Sequence, residues 1–226
     1  MFIDSYFLIL VVPTIILSMI AQVMVKSTFS KYSNVRCSRN ISGSDAALLL
    51  LKNNSINDVA VEAVQGTLTD HYDPRDKKLR LSQPVYSQPS IAAVGVAAHE
   101  AGHAIQHAKG YGPLVLRSTL VPVANIGSRF GPWMAIAGIF LSMPLLLNIG
   151  IVLFGGAVVF YLITLPVEFN ASSRALALLQ SGNVLTAKEL EGAKKVLNAA
   201  ALTYVASALT ALMSFIRLIL IARGRR

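Results

Sequence analysis

The chain has 226 residues, of which 54% are hydrophobic, and a formal net charge of +9. This apolar content is too high for an ordinary soluble globule and is typical of a membrane protein. The single cysteine, Cys37, excludes an internal disulfide. The positive charge does not indicate a nucleic-acid partner, because the sequence has no nucleic-acid motif and basic loops are usual on the cytoplasmic side of membrane proteins.

Four segments are apolar enough and long enough to cross a bilayer, which takes about 20 residues. They are Ile3–Val25, a stretch within Leu114–Leu141, Leu145–Val167 and Ala199–Ile221. The first is predicted to be a retained anchor and not a cleaved signal, because its apolar run is long and lacks a small-residue cleavage site. The basic residues that follow it place its end on the cytoplasmic side. They are Lys26, Lys31, Arg36 and Arg39.

A small α+β unit is predicted between residues 41 and 110. Ser42–Asp45 is typical of a helix N-cap, for a short helix that ends at Asn53. Val59–Val64 and Leu79–Ser82 predict two strands, with a turn at Asp70–Asp76 between them. Because zinc peptidases commonly add a substrate strand to an exposed sheet edge, Leu79–Ser82 is the candidate edge for a peptide substrate.

The segment from Ile91 predicts a helix that is capped by Ser90 and stops near the glycines around residue 110. It contains the motif His99-Glu100-Ala101-Gly102-His103. Four residues are about 1.1 helical turns, so His99 and His103 project from one face and can share a metal ion. Glu100 lies about 100° around the helix, where its carboxylate can take a proton from an attacking water without binding the metal. The pattern predicts a hydrolytic zinc site, which needs a third protein ligand.

The third ligand must lie on the same side of the membrane as the two histidines, so an even number of spans must separate it from them. Glu168 meets this requirement, because it follows a pair of spans and is the first carboxylate after Glu100. It would complete a His₂Glu set, which is common in zinc hydrolases. His107 is eight residues from His99, a rise of about 12 Å on a continuous helix, so it is a candidate for supporting a ligand or contacting substrate. His71 stays open as an alternative, because its predicted turn could fold back to the site.

The remaining segment, residues 167–226, combines a polar stretch with the last span. Thr186 is the predicted N-cap of a helix in the polar stretch. Tyr204 is a candidate for stabilising the reaction's oxyanion or contacting substrate, although a packing role also fits it. Alternation of the spans places the chain's end outside, whereas three arginines near it favour the cytoplasm. They are Arg223, Arg225 and Arg226.

Three motifs resemble those of the bacterial membrane neutral zinc metallopeptidases of the YugP type. They are H-E-A-G-H-A-I-Q-H at 99–107, L-P-V-E-F-N-A-S-S-R-A-L at 165–176 and T-D-H-Y-D-P at 69–74. The resemblance covers most of the chain. It implies a gluzincin-like peptidase with its zinc site at the cytoplasmic face, with His99, His103 and Glu168 as ligands and Glu100 as the base. Better-known membrane gluzincins usually carry an aspartate one turn after the third ligand, and this chain departs from them with Ser172.

We therefore expect a mostly α, polytopic membrane protein with about four transmembrane helices and a small cytoplasmic α+β, gluzincin-like zinc peptidase unit. The whole chain is expected to form one membrane-embedded domain. Its predicted parts are an anchor span at 3–25, the α+β unit and motif helix at 41–110, a span pair at 118–166, a third-ligand segment at 167–198 and a last span at 199–221.

The expected activity is zinc-dependent endopeptidase hydrolysis at the cytoplasmic face of the bacterial plasma membrane, with one Zn²⁺ per chain. The expected substrates are proteins or peptides, including membrane or misfolded proteins. A site-2-type intramembrane protease is disfavoured, because such enzymes use an Asp-Gly motif and no Asp-Gly dipeptide occurs here. A non-catalytic membrane scaffold or chaperone is disfavoured by Glu100, because a structural metal site has no need of a base.

Overall fold

A computed structural model describes residues 4–223 of the chain, which are mostly helical. Ile3 of the predicted anchor and the C-terminal Arg225 and Arg226 lie outside the described residues. The helices are α1 (Val12–Ser33), α2 (Gly43–Asn53), α3 (Gln83–Ser87), α4 (Ile91–Ala108), α5 (Gly112–Phe140), α6 (Pro144–Ser181) and α7 (Ala187–Arg223). The strands are β1 (Ala60–Val64), β2 (His71–Asp73) and β3 (Lys78–Ser82).

Three helices of the described chain are long and apolar enough to cross a membrane. They are Phe7–Ser33, which joins a π-helical turn at Phe7–Val11 to α1, together with α6 and α7. These three helices cover three of the four predicted spans. The fourth predicted span lies on α5, which is helical but is not among the three. A crossing by α5 therefore stays a prediction.

Helices α6 and α7 are longer than the spans predicted within them. Helix α6 continues through Pro166, so Glu168 lies inside a long helix and not at the start of a separate segment. The predicted cap at Thr186 is confirmed, since Thr186 Oγ1 accepts the backbone N–H of Glu189 at 3.4 Å and Glu189 Oε2 accepts the backbone N–H of Thr186 at 2.8 Å. From that cap α7 runs to Arg223, so the predicted polar helix and the last span form one helix.

The chain divides into two compact units. The first, called here the helical unit, comprises the chain up to Gln22, Pro113–Pro166 and the chain from Leu202. The second, called the sheet unit, comprises Val23–Gly112 and Val167–Ala201. The sheet unit has a hydrophobic core of its own, to which α2, β3, α4, α6 and α7 all contribute buried side chains. The assignment of the whole chain to one domain stays a prediction.

The sheet unit holds a three-stranded sheet in the order β1-β3-β2. β1 pairs with β3 in parallel, and β2 pairs with β3 in antiparallel orientation. The two predicted strands are confirmed as β1 and β3. Because β3 lies in the centre, the interpretation of Leu79–Ser82 as the exposed edge is wrong. Leu79 and Leu81 are fully buried, as suits a central strand.

The predicted turn at Asp70–Asp76 is wrong in its first half, where His71–Asp73 forms β2. These three residues gain their strand conformation from pairing with β3, which is a tertiary contact. The chain does turn directly after them, where Asp73 Oδ1 accepts the backbone N–H of Arg75 at 2.9 Å. The edges of the sheet are therefore β1 and β2.

The caps predicted for α2 and α4 are confirmed. Ser42 and Asp45 form a capping box at the start of α2. Ser90 Oγ accepts the backbone N–H of Ala93 at 3.1 Å at the start of α4. Helix α4 ends at Ala108, and Gly110 follows with a positive φ of 60°. Most of α4 is buried, so the two motif histidines lie on a helix whose position is set by packing.

Helices α4 and α6 approach each other at backbone distance. A Cβ at Gly102 would lie 2.8 Å from the carbonyl oxygen of Ala171, closer than real Cβ contacts allow. Gly102 lies between Glu100 and His103, and Ala171 lies three residues after Glu168. The absence of a side chain at Gly102 therefore permits the approach that brings Glu168 to the histidines.

We predict that Gly102→Ala lowers the free energy of unfolding by about 1–3 kcal/mol, because overpacking a tight backbone contact costs about that much. The measurement is thermal unfolding of the detergent-purified protein. Gly112→Ala is the matched control, because a Cβ there meets nothing within 4 Å. Equal stability of the two variants would contradict the close approach.

Candidate metal centre

The structure brings the three predicted ligands together inside the sheet unit. One ligand atom from each of His99, His103 and Glu168 lies within 4.8 Å of the other two. Glu168 Oε2 is 3.2 Å from His99 Nε2 and 3.5 Å from His103 Nε2. Two atoms that bind one zinc ion at 2.0–2.1 Å in tetrahedral geometry lie roughly 3.3–3.4 Å apart. The donor set and its spacing therefore fit a single zinc ion.

The burial of this cluster favours a bound cation. Glu168 is only 2% exposed and His103 only 8%. A carboxylate removed from water is costly unless positive charge compensates it. Either a proton on an imidazole or a metal ion between the three groups can supply that charge.

Gln106 decides which nitrogen of His103 is available to a metal. The side chain of Gln106 is fully buried, and its Nε2 donates to Val167 O at 2.9 Å and to Asn170 Oδ1 at 3.0 Å. Its Oε1 therefore faces His103 Nδ1, at 3.0 Å. Because an amide oxygen only accepts, Nδ1 must carry the proton. The lone pair of neutral His103 is then on Nε2, the atom that faces Glu168.

The amide orientation at Asn170 is set in turn by Arg174. Arg174 Nε donates to Asn170 Oδ1 at 2.6 Å, and a guanidinium is only a donor. The Asn170 oxygen must therefore face both Arg174 and Gln106 Nε2. This line of side chains, from Arg174 through Asn170 and Gln106, fixes the tautomer of His103.

Ser172 supports the other histidine. Its Oγ lies 3.1 Å from His99 Nδ1, which leaves His99 Nε2 directed at Glu168. Ser172 is the residue that the sequence comparison with membrane gluzincins singled out, because those enzymes usually carry an aspartate one turn after the third ligand. The side chain one turn after Glu168 thus contacts a histidine in this chain, through a hydroxyl and not a carboxylate.

Glu100 is buried at 8% exposure and lies close enough to His103 for their charges to interact. Within residues 4–223 its carboxylate accepts no hydrogen bond from the protein. A carboxylate held near the cluster without a protein donor is free to exchange a proton with a bound molecule.

Asp70, from the T-D-H-Y-D-P motif, is a partly buried carboxylate near Glu100. It accepts hydrogen bonds from Ser82 N at 2.7 Å and from Ser82 Oγ at 3.0 Å. Burial raises the pKa of Asp70 above its usual range, and the charge of Glu100 adds to this. Asp70 ties the segment before β2 to the end of β3.

The three other candidate residues, His107, His71 and Tyr204, do not belong to the group of three metal ligands. His107 Nδ1 lies 2.8 Å from the hydroxyl of Tyr72, and burial raises the pKa of that hydroxyl to about 12. His71 is exposed on β2, and its Nδ1 lies 2.9 Å from Thr69 O. Tyr204 lies on α7 in the helical unit. A role for these residues in supporting a ligand or contacting substrate stays a prediction.

Sequence reasoning missed Gln106, Asn170 and Arg174 as supports of the site, and it noted Ser172 only as a departure from the pattern of membrane gluzincins. Gln106 follows His103 by three residues on the same helix, a spacing that places side chains on one face. That spacing is the one feature of the sequence that could have identified Gln106 as a support of His103. Asn170 has a near partner in Arg174. Its contact with Gln106 and the contact of Ser172 with His99 span 64 and 73 residues of sequence, so no local pattern indicates that these side chains face the site.

Comparison with known proteins agrees with this geometry. The profile of the family described as "Putative neutral zinc metallopeptidase" matches residues 7–223. The chain is 49% identical over 215 residues to the protein named "Putative membrane protease YugP" of Bacillus subtilis (strain 168), an alignment that covers 95% of this chain and 96% of that protein. No solved structure matches the chain.

We predict that Ser172→Ala and Gln106→Met each weaken zinc affinity by about 10–100-fold, since residues that orient metal-binding histidines typically contribute that much. Competition with a chelator of known affinity measures the effect.

Two exposed residues of α6 provide matched controls for these variants. Ser173→Ala and Gln180→Met alter exposed side chains of α6 and should leave zinc affinity unchanged. Equal affinities in the test and control variants would show that the two histidines need no such support.

Proposed function

This chain belongs to the neutral zinc metallopeptidase family, and we propose that it is a membrane endopeptidase that hydrolyses peptide bonds with one zinc ion per chain. The proposed ligands are His99, His103 and Glu168, and the proposed base is Glu100. The observation that carries the proposal is the convergence of two imidazole Nε2 atoms and one carboxylate oxygen, with the uncommitted carboxylate of Glu100 nearby.

The donor set supports zinc and a hydrolytic role. Two imidazoles and a carboxylate leave a fourth position of a tetrahedral ion open, as in catalytic sites, whereas structural sites are closed by four protein ligands. A bound zinc ion would lower the pKa of water and polarise the scissile carbonyl.

The proposed proton transfers belong to Glu100. Its carboxylate takes a proton from the attacking water and later gives that proton to the leaving amine. Gln106 and Ser172 hold the two imidazoles with Nε2 directed inward, so that the reacting groups meet without rearrangement of the site.

We further propose that the protein crosses the membrane several times, with the site on the cytoplasmic side. Three apolar helices and the similarity to a membrane protease support a membrane location. The lysines and arginines between Lys26 and Arg39 support the cytoplasmic side for the segment that leads to the sheet unit. The proposed substrates are therefore polypeptides that are themselves in or at the membrane.

We predict that Glu100→Gln reduces hydrolysis of a fluorogenic peptide by about 10²–10⁴-fold, the usual contribution of a positioned acid or base. The variant should keep its zinc, because Glu100 is not a ligand. Elemental analysis and a peptidase assay in detergent are run on the same preparation.

Glu191→Gln is the matched control, because Glu191 is an exposed glutamate in the first part of α7. It should keep full activity and full zinc content. Hydrolysis by Glu100→Gln at the wild-type rate would remove the proposed base, and wild-type hydrolysis that survives removal of zinc would contradict the proposal as a whole.

A further inference from the structure

The helical unit contains a cavity of about 520 Å³ that is lined by both polar and apolar side chains. That volume is in the range of roughly 300–1,000 Å³ that ligand sites occupy. Its walls come from the three membrane-capable helices and from α5. The polar side chains that line it are Ser18, Gln22, Ser128, Tyr161, Ser207, Thr210, Ser214 and Arg217.

Half of these polar groups form a stripe along one face of α7. Ser207, Thr210, Ser214 and Arg217 follow each other at intervals of three, four and three residues, which keeps them on one side of a helix. Ten residues of helix rise about 15 Å. The polar wall is therefore elongated and runs along an otherwise apolar helix.

Most of the lining polar groups lack a partner in the protein. Within residues 4–223, five of them make no side-chain hydrogen bond. They are Gln22, Ser128, Tyr161, Ser207 and Ser214. Polar groups in membrane helices are costly unless they bind a partner or line a functional path. The cavity is thus suited to a molecule that supplies hydrogen-bonding groups.

The charged groups that line the cavity do not favour an ionic ligand. Arg217 is the one charged residue among the lining residues, and its guanidinium is paired with Asp4 at 2.7 Å. The other polar groups are hydroxyls and an amide. Each hydroxyl can both donate and accept, so the lining matches a ligand with alternating donors and acceptors.

We propose that this cavity binds a short, locally unwound stretch of a membrane-spanning polypeptide. An extended chain rises about 3.3 Å per residue, so the wall of about 15 Å would accompany four or five residues. An unwound backbone in lipid needs partners for its N–H and C=O groups, and the hydroxyls of the stripe provide them. A compact, charged lipid headgroup fits less well, because the one lining cation is already paired.

The further statement that this polypeptide is a substrate rests on the proposed function. A helix has its backbone groups bonded internally, whereas a peptidase acts on an extended chain. The substrate class would therefore be membrane segments that contain helix-breaking residues.

The test measures capture of synthetic peptides by single cysteines in the full-length protein. The background is Glu100→Gln with Cys37→Ala, so that hydrolysis plays no part and the native thiol is absent. Ser207→Cys and Ser214→Cys place a thiol in the cavity. Val152→Cys is the control, because Val152 is 74% exposed on α6 and does not line the cavity.

The probes are two membrane-spanning peptides of about 20 residues in phosphatidylcholine vesicles, each with an activated disulfide at its centre. One is an uninterrupted leucine-alanine helix, and the other carries Gly-Pro beside the disulfide. We expect the Gly-Pro peptide to react at least about tenfold faster at the two cavity cysteines than at the control, a preference that corresponds to about 1.4 kcal/mol. The uninterrupted helix should show no such preference.

Three results would overturn the proposal. The first is an equal reaction rate at the cavity and control cysteines. The second is the same ratio of cavity rate to control rate for both peptides. The third is suppression of the reaction by phosphatidylglycerol, which would identify a lipid headgroup as the occupant. Each variant is first checked for a monodisperse elution profile, and two cavity positions guard against a misfolded one. Because hydrolysis is absent from this assay, loss of the peptidase proposal and loss of the cavity proposal are distinguishable.

Discussion

The carboxylate of Glu168 is buried in a helix-helix contact and faces two imidazole nitrogens, and this arrangement constrains everything around it. A buried negative charge needs a positive partner. Because Gln106 directs the lone pair of His103 Nε2 at the same carboxylate oxygen, the two groups repel unless a proton or a metal ion lies between them. The close contact at Gly102, the hydrogen bonds of Gln106 and the hydroxyl of Ser172 together hold the three donor atoms near one another.

Local patterns in the sequence predicted the parts of the site that depend on one helix. The spacing of His99 and His103 follows from helical periodicity, and Ser90 and Thr186 cap their helices through contacts within three residues. Glu168 was predicted by a different route, from the requirement that it share a side of the membrane with the histidines. The structure places it beside both of them.

The errors and omissions have one physical origin, which is tertiary pairing. β2 has three residues bounded by aspartates, and only its bonds to β3 make it a strand, so β3 was mistaken for an edge. Ser172 and Asn170 lie on a long helix whose sequence does not reveal which side chains meet α4. The predicted span pair ended at residue 166, yet α6 continues through Pro166. The helical spacing of the polar residues on α7 can be read from the sequence. The cavity that they line is also formed by three other helices, whose positions the sequence does not give.

Zinc content measured by elemental analysis tests the central claim most directly, on the detergent-purified wild type and on Glu168→Ala and His71→Ala. The account predicts about one zinc per chain in the wild type and in His71→Ala, since His71 is exposed on β2 and bonds Thr69. It predicts loss of zinc in Glu168→Ala, because two imidazoles alone are a weak site. Full zinc retention in Glu168→Ala, or a wild type without zinc, would contradict it.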